Sequence, residues 1–138
     1  MSKEKKTIKV TAAIIENSNN EILCTLRKKD RILGNFWEFP GGKLEENEDV
    51  FACIQREILE ELNSDFIIPE NKIFCESIYE YESFIVHLIA IKGFLSESKV
   101  NSLNDHDALI WLKKENLTSL IWAPADIPII NKILKNIP

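Results

Sequence analysis

Glycine and proline are scarce in this chain of 138 residues, which has four glycines and five prolines. Linker-rich and low-complexity proteins contain many more of both, so the composition favours one folded domain. The three cysteines, Cys24, Cys53 and Cys75, include no C-x-x-C pair, and there are only two histidines. This set argues against a disulfide framework or a thiolate–imidazole zinc site, and we expect free, buried thiols.

Positive charge is also in deficit. Lysine and arginine number 17 against 22 aspartate and glutamate residues, which leaves a formal net charge of −5. A general nucleic-acid binder carries a basic surface for phosphates, so we predict no general nucleic-acid binding. A small phosphorylated ligand stays compatible with this charge, because a bound metal ion reverses the sign of an acidic pocket.

Long apolar runs are absent as well. No stretch approaches the roughly 18 residues that a membrane-spanning helix needs. Residues 1–6 are charged and show no signal-peptide pattern. We therefore predict a cytoplasmic protein with no membrane partner. A single domain is expected over residues 1–138, with a flexible tail at residues 1–6.

The pattern of apolar residues predicts strands and helices in irregular order. The predicted strands cover residues 7–16, 21–27, 36–39, 73–82, 84–94 and 108–112. A helix is predicted over residues 49–62, and a final helix begins at Pro124 with Ile127, Ile130 and Leu134 on one face. There are too few crossover helices for a doubly wound parallel sheet, so we predict an α+β fold with a mixed sheet and outer helices.

The helix over residues 49–62 carries a cluster of acidic residues. Glu57, Glu60 and Glu61 fall within about 100° of one another beside its apolar stripe. Like charges at this spacing destabilise a helix unless a cation neutralises them, although a solvated acidic face is the simpler interpretation of the pattern alone. Mg²⁺ is one suitable cation, since it binds a few carboxylates together with substrate phosphates.

The surrounding residues resemble the Nudix box, G-x5-E-x7-R-E-U-x-E-E-x-G-U, where U is a bulky aliphatic residue. Seven positions match in register: Gly42, Glu48, Arg56, Glu57, Ile58, Glu60 and Glu61. Two positions depart, because Asn63 replaces the last glycine and Ser64 replaces the final aliphatic residue. Asparagine tolerates the left-handed conformation at a helix end, so Asn63 should preserve the geometry.

The resemblance implies an α/β/α sandwich with a mixed sheet that hydrolyses a nucleoside diphosphate linked to another group. It implies that Glu57, Glu60 and Glu61 hold Mg²⁺, which Mn²⁺ could replace, with the Gly41 carbonyl as a further ligand. Arg56 would orient the carboxylates. Glu48 would pair with Arg56 or contact a second metal ion.

Segments outside the box are similar to the MutT subgroup. The segment 37–43, W-E-F-P-G-G-K, opens the box as in that subgroup and assigns Trp37 and Lys43 to substrate binding. Arg27 ends a strand where the subgroup places an arginine at the nucleotide, although an exposed strand-end cation is the plainer interpretation. The segment 123–128, A-P-A-D-I-P, resembles bacterial CTP and oxidised-dGTP pyrophosphohydrolases, and there Asp126 would face the base. Asp126 could instead simply favour a helix N-terminus.

For two further residues, Asp105 and Trp37, the sequence allows both a functional and a structural interpretation. Asp105, with His106 and Asp107 beside it, lies in a loop where MutT-like enzymes carry an acidic residue that binds metal or activates water. A solvated polar loop explains the same residues. Trp37 could stack on a base, but core packing competes with that role.

We therefore predict a Mg²⁺-dependent nucleoside triphosphate pyrophosphohydrolase that releases a nucleoside monophosphate and pyrophosphate. Its substrates would be CTP-type or oxidised purine nucleotides, and the protein would be a monomer or homodimer. One alternative is a Nudix hydrolase of a dinucleotide, a nucleotide sugar or an RNA 5′ end. A non-catalytic nucleotide-binding domain is the alternative from another class.

Overall fold

The computed structural model describes residues 4–97, 100 and 103–135, and within these ranges eight strands and two α-helices form. In chain order they are β1 (Lys6–Ile15), β2 (Glu21–Arg27), β3 (Trp37–Glu38), β4 (Gly41–Lys43), α1 (Val50–Leu62), β5 (Phe66–Ile67), β6 (Cys75–Glu80), β7 (Phe84–Leu95), β8 (His106–Lys113) and α2 (Ile127–Lys135). Short 3₁₀ helices cover Lys114–Ser119 and Pro124–Asp126.

The strands form two sheets. In the larger sheet β1 pairs in parallel with β7 and antiparallel with β4, while β5 and β6 both pair antiparallel with β7. The smaller sheet is antiparallel, in the order β3-β2-β8. The mixed sheet that the sequence predicts is therefore confirmed.

β1 is buried on both faces because consecutive residues point into different cores. Ala12 and Ile14 pack in a cluster with α2, whereas Ala13 and Ile15 pack in a cluster with α1. A strand with both faces covered has a continuous apolar sequence, as residues 12–15 do. One α-helix thus covers each side of the larger sheet, and the predicted α+β sandwich is confirmed.

Local capping fixes the bounds of α1. The Asp49 side chain accepts a hydrogen bond from the Ala52 N–H, which satisfies one of the free amides at the helix start. Asn63 ends the helix in the left-handed region, with φ 54° and ψ 42°. Both residues confirm the predicted helix ends. Ser64 is buried, and its hydroxyl has no hydrogen-bond partner among the described residues.

The local structure departs from the predictions at the N-terminal segment, at two short strands and at one residue of α2. The segment 1–6 is not wholly a tail, because Lys6 pairs with Phe84 in β1 and the Lys5 Nζ lies 2.6 Å from Glu80; residues 1–3 lie outside the described residues. β4 and β5 escape prediction because both are too short to show alternation. Of the residues predicted to form the apolar face of α2, Ile130 is buried and Leu134 packs against the core, but Ile127 is 45% exposed.

Candidate active site

Arg56 gathers acidic side chains at the open edge of α1. Its Nε and Nη2 atoms bond both carboxylate oxygens of Glu48, at 2.8 and 3.0 Å. Its Nη1 atom donates to Glu57 at 3.0 Å and to Glu60 at 3.5 Å. The bonds from Arg56, together with the Glu45 backbone N–H, lower the pKa of Glu48 to about 2. Glu48 is thus a stable anionic partner that holds the guanidinium in place.

The Glu57 carboxylate lies directly against Gly42. A Cβ atom on Gly42 would stand 2.2 Å from the Glu57 Cδ and 2.4 Å from each carboxylate oxygen, so only glycine leaves room for this side chain. Burial raises the pKa of Glu57, although the bond from Arg56 opposes the shift. The charges of Glu60 and Asp105 raise this pKa further. Negative charge therefore accumulates around a half-buried carboxylate.

A second cluster lies deeper, around His106. The His106 Nδ1 atom is 2.7 Å from Glu61 and its Nε2 atom is 2.8 Å from Glu38. Burial alone would lower the pKa of His106, but the two carboxylates outweigh it and raise the pKa to about 9. The ring is therefore protonated at neutral pH, and both nitrogens donate. Glu61 also accepts the Asp105 backbone N–H at 2.6 Å.

A bulge between β2 and β8 directs His106 to this position. Leu26 pairs with Ala108, but Arg27 pairs with His106, so Asp107 is an extra residue in β8. Regular alternation would place His106 on the face of Ala108, away from α1. The bulge turns the ring to the α1 face, which it shares with Arg27 and Glu38. Sequence analysis names neither Glu38 nor this role of His106, because no local pattern marks the bulge.

The other predicted side chains lie around these two clusters. Asp105 is exposed and forms a long ion pair with Arg31, at 3.7 Å. Glu60 is also largely exposed, and its backbone carbonyl accepts a bond from the Asn104 amide. Gly41 pairs with Ala12 and lines a small cavity beside His106. The structure thus brings the box residues and Asp105 to one edge of the fold.

The predicted substrate-binding residues divide between two places. Arg27 lies in the site, where its Nη1 atom donates to Glu38 at 3.1 Å. Lys43 is exposed on β4, and its backbone carbonyl accepts a bond from the Arg56 Nη2 atom at 3.3 Å. Trp37 packs against the α2-side core and is half-buried. Asp126 is buried and accepts the Phe39 backbone N–H at 3.0 Å, so it is more than a helix-start residue. Burial raises its pKa.

A cavity of about 890 Å³ lies away from these acids. It opens at the far ends of β1 and β7, beside Glu16, Lys92 and Phe94. The cavity at the acids is only about 120 Å³ and is lined by Arg27, Lys28, Arg31, Glu38, Gly41, Asp105 and His106. We assign the chemistry to the smaller cavity, because it adjoins the charged groups with shifted pKa values.

A family model described as the NUDIX domain matches residues 11–132. The chain belongs to the Nudix family. The match covers every strand except the first half of β1, together with α1 and most of α2. The chain is accordingly a Nudix hydrolase that acts on nucleotide substrates.

Named relatives agree with this assignment. This Nudix chain is 32% identical over 131 residues to the CTP pyrophosphohydrolase of Escherichia coli K12, which covers 94% of this chain and 93% of the relative. It is 39% identical over 77 residues to the 8-oxo-dGTP diphosphatase of the same organism, covering 56% and 57%. A solution structure of a MutT protein from methicillin-resistant Staphylococcus aureus 252 is 41% identical, with a TM-score of 0.75 and coverage of 96% and 98%.

Nudix hydrolases use a divalent metal ion, and the residues of this site suit one in kind. Glu57, Glu60 and Glu61 offer hard carboxylate oxygens within one helical turn. Arg56 and His106 now neutralise these groups, and among residues 4–97, 100 and 103–135 no three acidic, histidine or cysteine side chains converge on one point. A bound metal ion would therefore supply part of the positive charge that Arg56 and His106 now supply to these carboxylates.

Two further predictions concern the cysteines and membrane-spanning helices. Cys24, Cys53 and Cys75 are free thiols, and the first two are buried. In the part of the chain that the structure describes, no helix is both long and apolar enough to cross a membrane.

Proposed function

We propose that this Nudix hydrolase converts nucleoside triphosphates to nucleoside monophosphate and pyrophosphate in the presence of Mg²⁺. CTP-type and oxidised purine nucleotides are the favoured substrates. The 32% identity to a CTP pyrophosphohydrolase over nearly the full length of both chains supports this choice. The likeness of 77 residues of the chain to an 8-oxo-dGTP diphosphatase supports the second substrate type.

One observation carries the proposal: the Glu57 carboxylate is half-buried against Gly42, beside the negative charges of Glu60 and Asp105. A fold gains no stability from such crowding of like charges. The arrangement is useful when a divalent cation binds there and brings a polyanionic substrate. When bound, the ion would neutralise charge that develops on the phosphate oxygens.

In this proposal Glu57, Glu60, Glu61 and the Gly41 carbonyl hold the metal ion. Arg56 is a positioning residue, because its bonds to Glu48 and Glu57 fix the direction of the Glu57 carboxylate. His106 positions Glu61 in the same way. Both ring nitrogens of His106 are engaged with Glu38 and Glu61, so this proposal does not assign proton transfer to His106.

The proton acceptor in this proposal is Asp105. Its side chain is 66% exposed and close enough to Glu57 to affect the pKa of that residue. Its only ion pair among the described residues is the long contact with Arg31. An exposed carboxylate of this kind can reach a water molecule next to the substrate.

Arg27 and Lys43 would contact the substrate phosphates, while Trp37 and Asp126 would contact the base. One Asp126 oxygen accepts the Phe39 N–H, so recognition would use its other oxygen. Such a carboxyl oxygen can pair with the exocyclic amine of cytosine or with the N–H groups of a guanine-type base. Tyr81 supports this turn, because its hydroxyl accepts the Ala125 N–H at 3.1 Å.

The test is a panel of canonical, methylated and oxidised ribo- and deoxynucleoside triphosphates with Mg²⁺, together with a diadenosine polyphosphate. Release of pyrophosphate and monophosphate from a cytosine or oxidised purine nucleotide is expected. Product analysis in ¹⁸O-labelled water would identify the phosphorus that is attacked. If no triphosphate yields pyrophosphate, the proposed substrate class is wrong. Turnover of the diadenosine compound alone would indicate a dinucleotide hydrolase.

A further inference from the structure

The loop over residues 28–35 is basic in an acidic protein. Lys28, Lys29 and Arg31 lie within four residues, whereas the whole chain has a formal net charge of −5. The Nudix box does not include this loop, and no role assigned above uses Lys28 or Arg31. These positive charges beside an acidic site serve either to bind a ligand or to stabilise the loop.

The loop is held in place over the site. The Arg27 Nε atom donates to the Ile32 carbonyl at 2.9 Å, and the Lys29 backbone N–H donates to Asp107 at 3.3 Å. Leu33 adopts a positive φ of 60°, a conformation that costs free energy in a bulky residue. These contacts therefore fix the backbone from which the side chains of Lys28 and Arg31 extend.

Those two side chains line the 120 Å³ cavity beside the box. Besides His106, its lining contains three cations, Arg27, Lys28 and Arg31, and two carboxylates, Glu38 and Asp105. Sites that enclose a drug-sized ligand are commonly about 300–1,000 Å³. This cavity is therefore suited to a phosphate-sized group and is too small for a nucleoside.

The three cations differ in how firmly they are engaged. Arg27 donates to both oxygens of Glu38, at 3.1 and 3.3 Å, so its charge is already balanced. Arg31 reaches Asp105 only at 3.7 Å, with both side chains more than half exposed. Within the described ranges no carboxylate forms an ion pair with Lys28. Exposed pairs of this kind contribute little free energy, so Arg31 can exchange Asp105 for another anion.

We infer that Arg31, together with Lys28, forms a subsite for the terminal phosphates of the substrate. The inference rests on the proposed function, since only a polyphosphate substrate places phosphates beyond the one at the sugar. The planar guanidinium of Arg31 can bind two phosphate oxygens at once. Asp105 would then lose its partner as the substrate enters, which leaves its carboxylate free.

Binding of inorganic pyrophosphate at low salt, with EDTA present, tests the subsite without catalysis. We expect Arg31→Ala to raise the dissociation constant about tenfold and Arg31→Lys to raise it about threefold, because lysine keeps the charge but loses the fork. Lys72→Ala is the matched control, since Lys72 is an exposed cation beside the remote cavity. Its affinity should equal that of the unmodified chain.

Asp105→Asn separates a binding role from a structural one. If the Arg31–Asp105 pair only fixes the two loops, this variant should bind pyrophosphate no better than the unmodified chain. If Asp105 competes with the ligand for Arg31, it should bind pyrophosphate more tightly, by about threefold. Equal affinity in the unmodified chain, Arg31→Ala and Lys72→Ala would overturn the inference, as would the absence of saturable binding.

Steady-state kinetics with the best triphosphate completes the test. Arg31→Ala should raise KM about tenfold and change kcat less than threefold, because Asp105 is free of Arg31 in the substrate complex of both proteins. If the chain cleaves no triphosphate but Arg31→Ala still loses pyrophosphate binding, only the substrate proposal fails. If triphosphate cleavage is normal and Arg31→Ala matches the control in both assays, only the subsite fails.

Discussion

Arg56 and His106 balance the acidic edge of α1 in opposite surroundings. The Arg56 side chain is 27% exposed and bonds Glu48 and Glu57 at the open rim. The His106 side chain is 6% exposed and lies between Glu38 and Glu61. Arg56 also pairs with Glu45 and Glu60 and so contacts four carboxylates, whereas His106 contacts two and is itself nearly buried.

The comparison shows that carboxylates on one helix edge are neutralised in two ways. Arg56 can exchange its partners for other ions, whereas His106 keeps its partners. Water and the fixed charge of arginine make the rim tolerant of a change of partner. In the interior, a neutral ring could donate to only one of Glu38 and Glu61, and Glu61 is itself buried. We therefore expect the rim to determine activity and the interior to determine both activity and stability.

The largest effect should come from removing the buried cation. His106→Ala leaves two carboxylates without their shared partner, which should lower the free energy of unfolding by roughly 3–5 kcal/mol. Arg56→Ala should cost about 1 kcal/mol, since its partners regain water. Urea unfolding in EDTA measures both values. His87→Ala, which removes a more exposed histidine–glutamate pair, is the control and should cost under about 1 kcal/mol. Equal costs for His106→Ala and Arg56→Ala would contradict the comparison.

The buried cation should also make stability depend on pH. Because the pKa of His106 rises from 6.5 to about 9 on folding, its contribution is fully present below pH 6.5 and is lost as the pH rises through 9. The free energy of unfolding should fall by about 3 kcal/mol across this range. His106→Gln should flatten the profile between pH 7 and 9. An unchanged slope in that variant would assign the pH dependence to another group.

Removing a single metal-binding carboxylate should separate activity from stability. Glu57→Gln and Glu61→Gln should each lower kcat at least about 100-fold with Mg²⁺, since the ion's stabilisation of charge is worth several kcal/mol. Only Glu61→Gln should also unfold at lower urea, because its partner is buried. Glu46→Gln is the control, because Glu46 is an exposed glutamate in the loop that precedes α1. Turnover near that of the unmodified chain would remove the residue from the proposed metal site.

The smallest effect should follow from filling the space beside Glu57. A methyl group on Gly42 would displace the Glu57 carboxylate toward solvent. Gly42→Ala should therefore lower kcat about tenfold. The free energy of unfolding should change little, because the displaced carboxylate reaches water. Calorimetric titration with Mn²⁺ should show weaker binding. A variant with unchanged kcat and Mn²⁺ affinity would show that Glu57 needs no fixed position.

Features determined by neighbours in the chain could be predicted from the sequence. The N-cap at Asp49 and the left-handed Asn63 follow from residue type and spacing, as does the arrangement of the box on one helix. The mixed sheet and the outer helices follow from the order of the elements and from the family resemblance.

Features that depend on distant parts of the chain could not be predicted. The ring of His106 bridges Glu38 and Glu61, which lie 68 and 45 residues away in the sequence. Asp126 shows the same limit, because its bond to Phe39 joins two segments that are 87 residues apart. Local patterns favour a helix-start role there, and only the packed fold shows the carboxylate buried.

The extra residue in β8 has a consequence for insertions and deletions. Losing Asp107 would restore regular pairing between β2 and β8 and turn the His106 ring away from α1. The turn at 17–20, by contrast, is largely exposed, and an added residue there would leave every pairing beyond it intact. Length variation among related chains should therefore collect at the connection between β1 and β2, while the number of residues between Asp105 and Ala108 stays constant.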